Sequence, residues 1–133
     1  MPMPSAPITS RYGARMDPFL HRLAMHAGID FKAPTGSPAR ATAPGKVTIA
    51  AYTKGYGNMV EIDHGGGVST RYAHLSRLMV KPGAYVDTGT IVGQTGSTGR
   101  STGPHLHYEI RVNNKAIDPM AYIKAGTELT PLL

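Results

Sequence analysis

Cysteine is absent from the 133 residues, which excludes a disulfide-stapled scaffold and any zinc site built on thiolates. Tryptophan is absent too, and the aromatic residues are seven Tyr and two Phe. They are not interleaved with Lys and Arg as base-stacking platforms would be, and the basic residues form no run, so no nucleic-acid partner is expected. Charged residues make up only 17%, too few for a coiled coil or a charge-rich disordered tail. Long hydrophobic runs are missing: the longest, from Val47 to Tyr52 with Thr48 inside it, is far too short to span a bilayer. No membrane insertion by this chain is expected. The start, Met1-Pro2-Met3-Pro4-Ser5, lacks the charged and apolar segments of a secretory leader, although an exported chain stripped of its leader would look the same.

What is present points to one small domain. Hydrophobic residues reach 41%, enough for a single core. The 16 Gly and 11 Pro punctuate the chain so densely that many short elements joined by tight turns are expected rather than a few long helices. Residues 1–7, rich in Pro and small side chains, read as a flexible leader, and residues 8–133 as the domain. Strand-like alternation covers 8–12, 28–32, 45–53, 58–64, 68–74, 84–86, 90–94 and 105–112, and the glycines at 65–67 signal a hairpin. Helix is expected only around 17–25 and in a short turn near 119–123. A weak echo between the segments opening at Thr35-Gly36 and Thr88-Gly89 would suit a duplicated β-unit. The net charge of +6 favours a polyanionic partner.

Six histidines are the most informative feature: His21, His26, His64, His74, His105 and His107. Without cysteine, a transition-metal site must use imidazole and carboxylate, the donor set typical of catalytic zinc. In the strand over 105–112, His105, His107, Glu109 and Arg111 share one face, and Leu106, Tyr108, Ile110 and Val112 the other. Two same-face residues lie about 6.6 Å apart along a strand, which suits one imidazole on a metal and the other aimed at its open position. The bland alternative is a pair of solvated histidines. An extended chain through 26–30 would put His26 and Asp30 on one face, with Gly28 leaving the space between them empty. Here the alternative is a capping aspartate and a surface histidine. Single histidines such as His21, His64 and His74 are more often structural.

The order of these blocks is itself a pattern. His26-x3-Asp30 comes first, then Gly55-Tyr-Gly-Asn-x-Val-x-Ile-Asp-His-Gly-x-Gly67 and Tyr72-x-His74-Leu-Ser. Gly99-x-Ser-Thr-Gly-Pro-His105-Leu-His107-Tyr-Glu109 completes the order. Together they resemble the lysostaphin-type (LytM-like) zinc metallopeptidases, peptidoglycan hydrolases that cut peptide cross-links. The similarity runs from about Ile8 to Ile123. It implies a mostly β, single domain of short antiparallel strands with an open-groove, duplicated hybrid β-sheet/barrel-sandwich architecture and little helix. It further implies that His26, Asp30 and His107 bind one zinc ion and that His74 and His105 are the catalytic pair. Asp17 stands where many relatives have His, and His21 where Gly is common; both lie outside the ligand set.

The resemblance thus leads to a zinc-dependent endopeptidase acting on peptidoglycan cross-links, D-alanyl–diaminopimelate bonds being the expected target, in the periplasm or the extracellular cell wall. No His-Glu-x-x-His helix is present to supply a glutamate base, so proton handling would fall to His74 and His105, whose ordinary pKa of about 6.5 suits it. The glycine-rich segment 96–103 lacks a Gly-Lys-Ser/Thr ending and leads into a strand, which argues against phosphate binding and for one wall of a peptide groove. Two alternatives stand beside this reading. One is a catalytically silent wall-binding or amidase-activating domain of the same fold. The other is a biotinyl/lipoyl-type carrier, which lacks its Met-Lys-Met hairpin tip and leaves the histidines unexplained.

Overall fold

Tight glycine and proline turns cut the chain into strands too short to bury an apolar face alone, and those strands pair antiparallel throughout. The computed structural model describes residues 2–3, 6–10, 12–17, 22–99, 101 and 103–119. The strands are β1 (Ile8–Ser10), β2 (Gly13–Asp17), β3 (Arg22–His26), β4 (Ile29–Lys32), β5 (Pro38–Arg40) and β6 (Gly45–Thr53). They continue with β7 (Gly57–Gly65), β8 (Val68–Leu78), β9 (Tyr85–Val86), β10 (Ile91–Thr95), β11 (His105–Val112) and β12 (Lys115–Ile117). The main sheet runs β1-β4-β11-β8-β7-β6-β9. β10 pairs with β5 and β8, β12 pairs with β11, and β2 and β3 form a separate two-stranded ribbon. No helix occurs among the described residues.

The expected β class holds, and β6 and β11 occupy the ranges read from the sequence. The helix expected over 17–25 is corrected: Arg22–His26 is a strand whose main chain pairs with Gly13–Asp17. The β2–β3 ribbon, β5 and β12 escaped the strand reading. The turn expected at 119–123 lies outside the described residues beyond Pro119, as does His21. Of residues 1–7, read as a flexible leader, Pro2 and Met3 are buried. Pro2 accepts a hydrogen bond from Arg40 N–H (3.0 Å), and Met3 belongs to the core.

The core lies against one face of the sheet. Leu106, Tyr108 and Ile110 enter it from β11, Ile29 and Phe31 from β4, Tyr72 from β8, and Val60 and Ile62 from β7. The Tyr72 and Tyr108 rings lie 5.4 Å apart, tilted by 49°, and their hydroxyls meet a buried polar chain. Tyr108 Oη lies 2.9 Å and Tyr72 Oη 3.2 Å from Thr42 Oγ1, and Thr42 N–H donates to Tyr72 Oη. Thr70 Oγ1 lies 2.9 Å from Tyr72 Oη and 2.8 Å from His64 Nε2, and His64 Nδ1–H donates to the Pro44 carbonyl. Each buried hydroxyl therefore has a partner, as burial requires.

Candidate metal centre and active site

The opposite face of β11 carries the polar side chains. β4 pairs with β11 so that His107 lies opposite Asp30, and β8 lies on the other side with Ala73 opposite His107. His107 Nδ1 is 2.9 Å from Asp30 Oδ1, and His105 Nε2 is 3.7 Å from the same oxygen. His107 and Asp30 are 8% and 7% exposed, so this face of β11 is not the solvated one on which idle histidines would sit.

His74 reaches the centre through a bulge. Asn58 pairs with Leu75 and Val60 with Tyr72, so β8 fits two residues, Ala73 and His74, opposite Met59 alone. His74 takes φ +62°, a left-handed conformation rare for a residue with a Cβ and costing on the order of 1–3 kcal/mol. Bulges re-aim side chains next to working sites. Here the imidazole stands 4.7 Å from the His105 ring and 6.0 Å from the His107 ring, centroid to centroid.

Both His74 and His105 are fixed in one tautomer by main-chain carbonyls. His74 Nδ1–H donates to Thr98 O at 2.6 Å and His105 Nδ1–H to Gly103 O at 2.8 Å. In each neutral ring this leaves Nε2 as the proton acceptor. Burial pushes the His74 pKa down to about 4, with the charges of His105 and His107 adding to the fall and the Thr98 carbonyl opposing it. His107 behaves oppositely. Burial alone would lower its pKa, but hydrogen bonds and charge from Asp30 and Glu109 outweigh burial and raise it to about 9. Glu109 is pushed up by burial and then held below the usual carboxylate range by His107, Arg111 and Tyr56.

The loop that carries Thr98 is locked onto β7. A Cβ on Gly57 would meet the Thr98 main chain, and one on Gly99 would meet Gly57 N, so both positions require the absence of a side chain. Thr98 Oγ1 accepts from Asn58 N–H and donates to Leu75 O. The Tyr56 carbonyl takes the His74 amide at 2.7 Å.

The site therefore gathers Asp30, His74, His105 and His107. His26 ends β3, its main chain paired with Gly13, but its side chain lies outside the described residues. Among those described, no three His, Asp or Glu side chains form an ion-holding group. The extended path expected through 26–30 is corrected. The chain leaves β3 at His26 and enters β4 at Ile29, and Gly28 serves a close approach, since a Cβ there would run into the Tyr108 carbonyl. His64 stands apart, bound to Pro44 and Thr70. Glu109, Thr98, Tyr56 and Arg111 carry no role in the sequence reading. Glu109 and Arg111 had a local signal, their place on the His105–His107 face.

The donor set fits a metal. His107 Nδ1 and Asp30 Oδ1 lie 2.9 Å apart, within the span that one ion with bonds of about 2.0–2.2 Å would bridge in place of the hydrogen between them. The second nitrogen of His107 is bonded to a carboxylate, Glu109, as the outer nitrogen of a metal-bound imidazole ordinarily is.

Comparison with known proteins agrees with this geometry. Residues 24–119 match peptidase family M23. The chain is 49% identical over 123 residues to the DD-carboxypeptidase/endopeptidase Mpg of Neisseria meningitidis, covering 92% of this chain and 28% of the relative. It is 42% identical over 106 residues to the peptidoglycan DD-endopeptidase ShyA of Vibrio cholerae, covering 80% and 25%. The chain thus spans about a quarter of the length of these curated relatives. Its fold superposes on the catalytic domain of lysostaphin from Staphylococcus simulans with a TM-score of 0.83 at 36% identity, covering 91% of this chain and 94% of that one. A zinc-containing peptidase from Vibrio cholerae gives 0.81 at 40% identity, covering 86% and 36%. With the family match spanning most of the domain and the antiparallel strands superposing on the same architecture, the chain belongs to peptidase family M23.

Proposed function

We propose that this domain is a zinc-dependent endopeptidase that hydrolyses peptide cross-links of bacterial peptidoglycan. His26, Asp30 and His107 would hold one ion, and His74 and His105 would be the catalytic pair. The observation that carries the reading is the meeting of Asp30 and His107 on paired strands with two tautomer-fixed imidazoles beside them. A zinc ion held there supplies Lewis acidity toward the scissile carbonyl and activates water near neutral pH.

The residues around it divide the remaining work. With Nδ1–H committed to Thr98 and Gly103, His74 and His105 present only Nε2 to a substrate. One takes a proton from the attacking water. The other, protonated, donates to the developing oxyanion or to the leaving amine. The loop from Gly96 forms one wall of the groove that admits the peptide. D-alanyl–diaminopimelate bonds are the target that best fits relatives named DD-endopeptidases, and the work site is the periplasm or the outer cell wall. The excess positive charge concentrates the domain on an anionic wall polymer.

Mass spectrometry of muropeptides from purified sacculi, digested with and without a chelator, tests enzyme, bond and metal together. New amino termini at cross-links, abolished by the chelator and restored by zinc, are expected. Stoichiometric zinc with no released amines would instead support a silent wall-binding or amidase-activating domain. Among variants, Asp30→Ala and His107→Ala should lose zinc and turnover together. His105→Ala should keep zinc and lose turnover by about 10²-fold or more; equal loss of zinc would contradict the division of the His105–His107 pair.

A further inference from the structure

We propose that Glu109 is a positioning residue for the metal centre: it fixes His107 in the tautomer that leaves Nδ1 to face the ion, and Arg111 and Tyr56 hold Glu109 in place. The inference rests on His107 being a ligand and goes beyond it, because it names what orients that ligand.

Glu109 Oε2 lies 2.8 Å from His107 Nε2. An ionised carboxylate can only accept, so Nε2 carries a hydrogen toward Glu109, and the Nδ1 lone pair becomes available to an ion once that nitrogen gives up its own proton. That nitrogen is the one beside Asp30 Oδ1. Each ring nitrogen thus faces a carboxylate oxygen, and an ion held on the Asp30 side, which His105 Nε2 also approaches, would replace the proton on Nδ1 and leave only the Nε2 proton, the one Glu109 accepts. Glu109 thereby selects which end of the imidazole meets the metal and also fixes the plane of the ring.

Glu109 is itself held from its other oxygen. It is 1% exposed, and a carboxylate at that depth is costly unless paired and hydrogen-bonded. Oε1 accepts from Arg111 Nη1 at 2.8 Å and from Tyr56 Oη at 3.3 Å. Tyr56 Oη takes a hydrogen bond from Arg71 Nη1 at 3.2 Å, so its own proton is available to Glu109, and Arg71 Nε is anchored on Glu61 Oε2 at 3.0 Å. Arg111 Nη2 donates to the Asn114 carbonyl in the β11–β12 turn, where Asn113 and Asn114 take φ +50° and +65°. One oxygen is thus left for His107, while the other fixes the carboxylate's rotation. A purely structural role would be served as well by an apolar side chain of similar volume, since replacing a buried ion pair that way is often neutral or stabilising. An acceptor aimed at Nε2 is what needs a carboxylate here.

The test uses the zinc-loaded domain labelled with ¹⁵N at histidine. His107 should show a protonated Nε2 and a metal-shifted Nδ1; a protonated Nδ1 with the ion on Nε2 overturns the proposal. Zinc affinity by chelator competition should fall about 10–100-fold in Glu109→Gln, because an amide cannot accept from His107, Arg111 and Tyr56 at once. Arg111→Met, which frees the carboxylate to rotate, should weaken zinc in the same direction by less. If Glu109→Gln lowers only the urea midpoint of the metal-free protein while the folded protein keeps its zinc affinity and tautomer, Glu109 is structural and the proposal fails. Should Glu109→Gln not fold, the tautomer in the unaltered domain still decides. A domain that takes up no zinc overturns the ligand reading and this inference together. One that binds zinc through the wrong nitrogen overturns this inference alone.

Discussion

His64 uses both ring nitrogens as fixed points, Nδ1–H on the Pro44 carbonyl and Nε2 on the Thr70 hydroxyl. Burial lowers its pKa, and the Pro44 carbonyl and Asp63 oppose that fall without cancelling it. A histidine so held takes its proton first in the unfolded chain. As pH drops below about 6.5, the unfolded state gains a proton that the folded state refuses, and the stability present above that pH is lost until the lower folded pKa is reached. The metal-free wild type should therefore lose more of its urea midpoint between about pH 8 and about pH 5.5 than His64→Asn, which keeps a donor for Pro44. Equal losses would show that His64 contributes nothing to acid sensitivity. The side chains that meet at the site, Asp30, His74, His105 and His107, were all singled out in the sequence. Their supports were not. Thr98 lies 24 positions from His74, and Tyr56 lies 53 from Glu109, so no local pattern could pair them. The left-handed turn at His74 comes from a bulge, a relation between two strands that neither strand's alternation encodes.

At the level of elements, alternation served where one face of a strand meets the core. β11 and β6 were readable end to end for that reason, and β8 was followed only as far as its bulge. β3 falls, but for His26, inside the segment 17–25 that was expected to be helical. Pairing with a neighbouring strand overrode that local preference. Gly28 serves a close approach of β11 that the spacing of His26 and Asp30 did not signal. A methyl group at that position would press on the Tyr108 carbonyl and on Glu109 Cγ, forcing β4 and β11 apart where Asp30 faces His107. Gly28→Ala should cost about 1–3 kcal/mol in urea unfolding and weaken zinc in chelator competition; an unchanged zinc affinity would mean the two strands yield elsewhere.

Across the whole molecule the charge balance of +6 bears on how the domain would meet the proposed wall polymer. Attraction between a basic domain and an anionic wall is screened within a Debye length, which is about 10 Å at 0.1 M salt and shorter above it. Binding to sacculi should weaken steeply as salt is raised, while cleavage of a short uncharged peptide should barely respond; parallel salt curves for both would remove charge from the account. Before Ile8, within the stretch read as a flexible leader, Pro2 is buried and Met3 joins the core. The hydroxyls of Thr42, Thr70, Tyr72 and Tyr108 are sealed beneath the sheet and bonded to one another or to His64. Their protons can trade with heavy water only when the packing beneath the sheet opens, which makes each a slow internal clock for breathing of the core, readable one resonance at a time without any label attached to the working face.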